Sequence, residues 1–225
     1  MPMPGGWVMP MTWMRMPGQT WTGASAAFLA MWVAMMTAMM LPSLVPALAS
    51  YRGSVSGTGE PGAAGLTSLV GAGYFLAWTA IGALVFPLGA AFAAAEMRWE
   101  ALSRAVPVAG GFLLVAAGAV QFSPWKARRL DRCRDAPGCR DPLVAGPAGA
   151  LRRGIRLGWH CGLCCATYTA VLCLAGLGNL AAMVLVAAAI TLERLVPRPR
   201  WIVHASGAAV TGWGLLVIAR ALIRA

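Results

Sequence analysis

Residues 24–48 read ASAAFLAMWVAMMTAMMLPSLVPAL and contain no Asp, Glu, Lys or Arg. As a helix this segment would rise about 37 Å, more than the roughly 30 Å hydrocarbon depth of a bilayer. It lies inside a longer uncharged run, 19–51, and three similar runs follow at 61–95, 105–125 and 157–192. The whole chain of 225 residues is 59% hydrophobic and 11% charged, with a mean hydropathy of +0.70. Charged residues usually make up about a quarter of a soluble domain, so an integral membrane protein is expected.

The expected fold is all-α, a polytopic transmembrane bundle of about six spans. The first three are placed at 24–48, 67–94 and 105–123. The run 157–192 has the length of two short helices hinged at AGLGN (175–179), although one span and a re-entrant piece would read alike. The last span is placed at 201–219. A Met/Trp-rich exterior tail (1–23) precedes a transmembrane domain (24–222) that carries a basic loop at 124–156. PALAS (46–50) has the small-residue pattern of a signal cleavage site, but the apolar part is too long for a signal core.

Topology follows from the 18 basic residues. Half of them lie in 124–156, and short basic loops stay cytoplasmic. With that loop inside, Arg52, Arg194, Arg198 and Arg200 fall on the same side, and the N-terminus faces outward. The net charge of +11 is then a topology signal and a contact with anionic lipid headgroups. KARRLDRCRDAPGCRD (126–141) interleaves acids with its bases and offers no aromatic platform for bases to stack on, so no nucleic-acid partner is expected.

Sulfur is distributed unevenly. Of 13 methionines, all but Met97 and Met183 lie in the first 40 residues. Helical spacing puts Met31, Met35 and Met39 in one column and Trp32, Met36 and Met40 in the next, a ladder about 14 Å long. Thioethers are soft donors suited to Cu(I), and being neutral they escape the cost of placing charge in lipid. Methionine is also an adaptable gap-filler, so the same stripe would serve as packing. The tail MPMPGGWVMPMTWMRMPG (1–18) is too rich in Pro and Gly for core packing; its Met-x-Met pairs resemble the extracellular methionine tails of copper-handling proteins.

The second sulfur feature is HCGLCC (160–165), placed at the inner mouth of the fourth span. Cys161 and Cys165 are one turn apart, as are His160 and Cys164, giving two adjoining ligand faces. Cys133 and Cys139 of the basic loop are within reach of the same mouth. Thiolates suit Cu(I) and equally Zn(II), so copper is the first candidate and zinc the second. The alternative use of a thiol is packing as a small apolar residue, the better reading for Cys173.

MWVAMMTAMMLPS (31–43), QFSPWKARRLDRCR (121–134), GPAGALRRGIRLGWHCGLCC (146–165) and TLERLVP (191–197) together resemble the predicted metal-binding integral membrane proteins, a bacterial family. The resemblance runs from Trp32 to Pro197 and implies a multi-span fold in the cytoplasmic membrane with a metal site. This chain departs from that pattern at Arg129, Thr169 and Gly178, where members carry sulfur.

The leading expectation is Cu(I) binding through Met31, Met35, Met36, Met39, Met40, His160, Cys161, Cys164, Cys165 and Cys133. The copper would be taken up or delivered to a partner such as a copper enzyme or copper chaperone. One rival is a membrane thiol–disulfide oxidoreductase using Cys161 and Cys164, which needs access to an oxidant. Another is a structural or assembly subunit, possible as a homo-oligomer, with GAAGLTSLVGAG (62–73) providing small residues for close helix contact. No Ser-His-Asp set can be assembled from His160 and His204. Glu96 and Glu100 read as solvated or paired with Arg98 and Arg104, and Glu193 as paired with a nearby arginine.

Overall fold

The computed structural model describes residues 2–3, 7–8, 11–56, 62–135, 146–196 and 200–224. Side chains 1–6, 8–11, 129, 131–135 and 224 lie outside that description, as do Cys139 and Arg198 entirely. Apart from a two-residue antiparallel pair, β1 (Pro2–Met3) with β2 (Trp7–Val8), and one turn of 3₁₀ helix at Met11–Trp13, regular structure is α-helical. The helices are α1 (Trp21–Ser56), α2 (Ala63–Arg98), α3 (Glu100–Gln121), α4 (Pro124–Asp135), α5 (Pro147–Ala175), α6 (Leu180–Leu195) and α7 (Arg200–Arg224).

Five of them, α1, α2, α3, α5 and α7, are long and apolar enough to cross a membrane. The remaining expected span, the second half of 157–192, is the 16-residue α6. The break comes where AGLGN predicts it. Gly176 takes φ 91°, in the region that a side chain disfavours, and ends α5. Asn179 then caps α6, its side-chain oxygen accepting from the Ala182 amide at 3.1 Å. The basic segment read as a loop is partly helical: α4 occupies 124–135, and α5 already starts at Pro147, with proline in the first turn where its missing N–H costs nothing.

Glycines set the packing. On α3 and α7 they recur at seven-residue spacing and meet in antiparallel order, Gly111 against Gly214 and Gly118 against Gly207. A Cβ at Gly111 would lie 3.0 Å from the Gly214 carbonyl oxygen. On α2 and α5 the order is parallel: Gly73 lies against Leu151, Gly154 and Ile155, and a Cβ on Gly158 would sit 2.6 Å from the Tyr74 carbonyl oxygen. Backbones that approach this closely gain dispersion contacts that larger side chains would prevent, the usual basis of association between apolar helices. Gly73, the last residue of the small-residue stripe 62–73, is therefore used within the chain, while Gly65 faces open space.

Between α1 and α2 the contact is aromatic. The Trp32 indole lies against Gly82 and donates from Nε1 to the Trp78 carbonyl at 3.0 Å. Phe28 stacks beside Trp32 and 5.0 Å from Phe86. Trp13 of the tail extends this row, 5.5 Å from Phe28 and against Gly89. Trp7 donates to the Ser103 carbonyl at 3.0 Å. The tail is thus anchored on the bundle through its tryptophans, contrary to the expectation that it takes no part in packing. Large apolar side chains such as Leu84, Leu88, Leu185 and Leu216 point outward from the helices.

Replacing Gly154 with Leu should destabilise the bundle by roughly 1–3 kcal/mol through overpacking. Gly53→Ala, at a helical position with open space around it, should leave stability unchanged or slightly raised. Thermal unfolding of the two variants in detergent checks the contrast.

Candidate functional site: a buried sulfur cluster

The methionine columns of α1 are set by helical spacing, and the packing of α1 against α2 and α6 decides which of them turns inward. Met36 and Met40, in line with Trp32, are almost completely buried; Met35 and Met39 beside them are buried too. Met31 is 38% exposed and stands outside the cluster. Four of the five expected thioethers therefore share the core with Cys161 and Cys165.

The two sulfur types meet at Met40. Cys161 Sγ lies 3.9 Å from Met40 Sδ. Cys165 lies one helical turn further along α5, in the same buried cluster as Cys161. Cys161, Cys164 and Cys165 are all buried and none is in a disulfide. Around Cys161, α2 contributes the Tyr74 hydroxyl at 2.9 Å, and α6 contributes Arg194, whose Nη2 donates to Cys161 Sγ at 2.9 Å and to Cys165 Sγ at 3.6 Å. Arg194 Nη1 reaches Ser43 Oγ on α1 at 3.4 Å. Arg194, counted among the loop charges in the sequence, thus points into the bundle and touches the thiols.

Cys164 faces the other way. It packs with Leu130 of α4 and Val203 of α7, while its carbonyl accepts from Lys126 Nζ at 2.9 Å. The Cys161/Cys164 pair read as a CxxC motif is therefore divided between two faces of α5, and so is HCGLCC as a whole. His160 is half-buried on α5. Among the described residues no three His, Cys, Asp or Glu side chains gather as a metal cluster. Cys133 belongs to α4, but its side chain is outside the described set. The cluster is also deeper than expected, because fourteen residues of α5 precede Cys161. Any ion held here would meet two thiols and a thioether, a soft donor set that fits Cu(I) better than hard ions.

A second polar cluster lies on the Cys164 side. Lys126 of α4 reaches in to within 3.3 Å of Glu193 Oε2, both side chains at most 3% exposed. Lys126 Nζ lies 4.9 Å from the centre of the Tyr168 ring. The Tyr168 hydroxyl donates to Glu193 Oε1 and also contacts Ser206 Oγ at 2.9 Å. Glu193 pairs with this lysine and not with an arginine, as the sequence suggested. A charge in such surroundings is retained only when paired and hydrogen-bonded, and here each is. Near the other end, Glu100 and Arg104 pair at 2.6 Å on the surface as expected, whereas Glu96 is buried.

An all-helical bundle with membrane-length helices and buried sulfur at its centre defines the class. Residues 29–217 match the profile of the PpoB2 family, whose description is copper chaperone, and the chain belongs to that family. The family assigns it a copper-related role. No curated protein and no solved structure matches the chain.

Lys126→Met alone should leave Glu193 buried without its cation and destabilise the protein by roughly 3–5 kcal/mol. Combining it with Glu193→Gln should recover much of that loss. Thermal unfolding of the single and double variants, with limited proteolysis of α4, reads both effects.

Proposed function

We propose that this chain is an integral protein of the bacterial cytoplasmic membrane that binds Cu(I) through methionine and cysteine and passes it to a partner such as a copper enzyme. The N-terminal tail lies outside and collects copper; the basic segment 124–156 lies inside. The observation that carries this reading is the 3.9 Å approach of Met40 Sδ to Cys161 Sγ, which joins the thioethers of α1 to the thiols of α5 in one buried region.

Chemistry gives the path its direction. Neutral thioethers hold Cu(I) weakly and without desolvating charge, whereas a thiolate binds it more strongly. Copper moving from Met35, Met36 and Met39 to Met40 and then to the Cys161/Cys165 pair therefore runs downhill in energy and needs no nucleotide. Each metal–thiolate bond replaces an S–H bond, so protons leave as the ion arrives. Tyr74 orients Cys161 through the 2.9 Å contact to its sulfur. Trp32, one turn nearer the tail than Met35 and Met36, is buried and bonded to the Trp78 carbonyl at 3.0 Å. Delivery to a partner fits the family description; uptake from outside uses the same donors in the same order.

Changing Met35, Met36, Met39 and Met40 together to Leu should abolish Cu(I) loading of the thiols while helicity stays unchanged. Cu(I) stoichiometry of the purified protein under reducing conditions, set beside circular dichroism, measures this. Full stoichiometry in the fourfold variant would discard the pathway.

A further inference from the structure

We infer that Gly82 of α2 is a positioning residue for metal binding: it seats the Trp32 indole and so sets the depth at which the α1 thioethers stand beside Cys161. The inference rests on the reading of Met40 and Cys161 as ligands, and adds what holds the two in register.

The two sulfurs belong to α1 and α5, and each of these helices packs more extensively on α2 than on the other. α2 supplies neither sulfur, yet it is the template between them. On the α5 side the fit is backbone to backbone, with Gly154 against Val70 and Gly158 against Tyr74. The Tyr74 hydroxyl meets Cys161 Sγ at 2.9 Å. One turn along α2 from Tyr74, the Trp78 carbonyl accepts from Trp32 Nε1 at 3.0 Å, and both tryptophans are buried.

Gly82 makes that bond possible. Within a helix the Trp78 carbonyl already accepts from the Gly82 amide, and its second lone pair remains available. A side chain at 82 would stand where the indole lies: a Cβ there would be 2.6 Å from Trp32 Cδ1, 2.8 Å from Nε1 and 2.9 Å from Cγ. The indole therefore occupies a slot one turn long on α2, bounded by the Trp78 carbonyl and the bare Gly82 backbone. Trp32, Met36 and Met40 lie in line on α1, so fixing Trp32 fixes Met40 two turns on, about 12 Å along the axis. A slip of one residue would move Met40 by about 1.5 Å, whereas a binding constellation must be held to about 0.5 Å. The 3.9 Å between Met40 Sδ and Cys161 Sγ is thus a distance set on α2.

Ag(I), a redox-stable soft monovalent ion, probes the site in the purified full chain under reducing conditions. Affinity is read by competition with a soluble thiol chelator, and folding by thermal unfolding. Gly82→Ala should weaken Ag(I) binding by about tenfold or more. Gly71→Ala, on the same helix with only Leu48 nearby at 3.9 Å, should leave it unchanged. A residue that merely supports the fold adds its effect to any other, whereas a positioning residue acts through the ligand it places. Met40→Leu should therefore weaken binding, and Gly82→Ala added to it should weaken binding no further, while costing the same stability in both backgrounds. Trp32→Phe removes the indole N–H without adding volume; it should show the same dependence on Met40 and covers the case of an unfolded Gly82→Ala. Losses of affinity that add in the double variants overturn the inference while Met40 remains a ligand. So does wild-type affinity in folded Gly82→Ala. Wild-type affinity in Met40→Leu removes Met40 from the site, and overturns the reading on which the inference rests.

Discussion

Four helices converge on one sulfur atom. Cys161 of α5 is met by the Met40 thioether of α1, the Tyr74 hydroxyl of α2 and the Arg194 guanidinium of α6. In an apolar bundle a polar group must find its partners inside the protein, so each contact fixes a neighbour as well as the thiol. The register of α1 against α5 places Met40 rather than Met39 beside the thiol. The turn at 176–179 is short enough to bring Arg194 back to it. Close glycine contact between α2 and α5 holds Tyr74 at the right depth. Cys161, Met40 and Tyr74 are buried at this meeting point, and Arg194 is half-buried.

Much of the architecture can be read from the chain, because the signals that specify it are local. Uncharged runs give helices at nearly their observed places, and Gly176 with Asn179 gives the break between α5 and α6. The inward turn of Met36 and Met40 follows from their alignment with Trp32, the side chain that best fills the α1–α2 interface. Met31, one turn before Met35, is 38% exposed, while Trp32 beside it and Phe28 before it are buried. The HCGLCC motif points to the helix and to the two faces on which Cys161 with Cys165 and Cys164 lie, but not to what covers each face. Sequence spacing cannot say that α4 would cover one face of α5 and α1 the other.

What stays hidden depends on contacts between distant residues. Lys126 looks like one more loop charge, yet its long stem carries its ammonium to Glu193, 67 positions away. Arg194 reads as a positive-inside residue because it follows an apolar run, and only the return of α6 across the bundle directs it to the thiols. The glycines at 111, 118, 207 and 214 are a missed signal of another kind. Their matching seven-residue spacing in two separate helices was present in the sequence, and it marks a pair of backbones that lie together in opposite directions. Trp13 is similar: a tryptophan in a Pro- and Gly-rich tail needs an apolar landing place, which Phe28 and Gly89 provide.

Pro42 and Pro46 lie within α1, in the two turns that follow Met40. Neither ring carries an N–H, so the carbonyls of Ala38 and Pro42 lose their usual helical donors. Ser43 Oγ bonds the Met40 carbonyl at 2.9 Å in the same turn. α1 nonetheless runs unbroken from Trp21 to Ser56. The turn short of these backbone bonds also holds Ser43, which Arg194 reaches at 3.4 Å. Backbone slack and sulfur chemistry therefore share a single turn of α1, coupled through one serine hydroxyl.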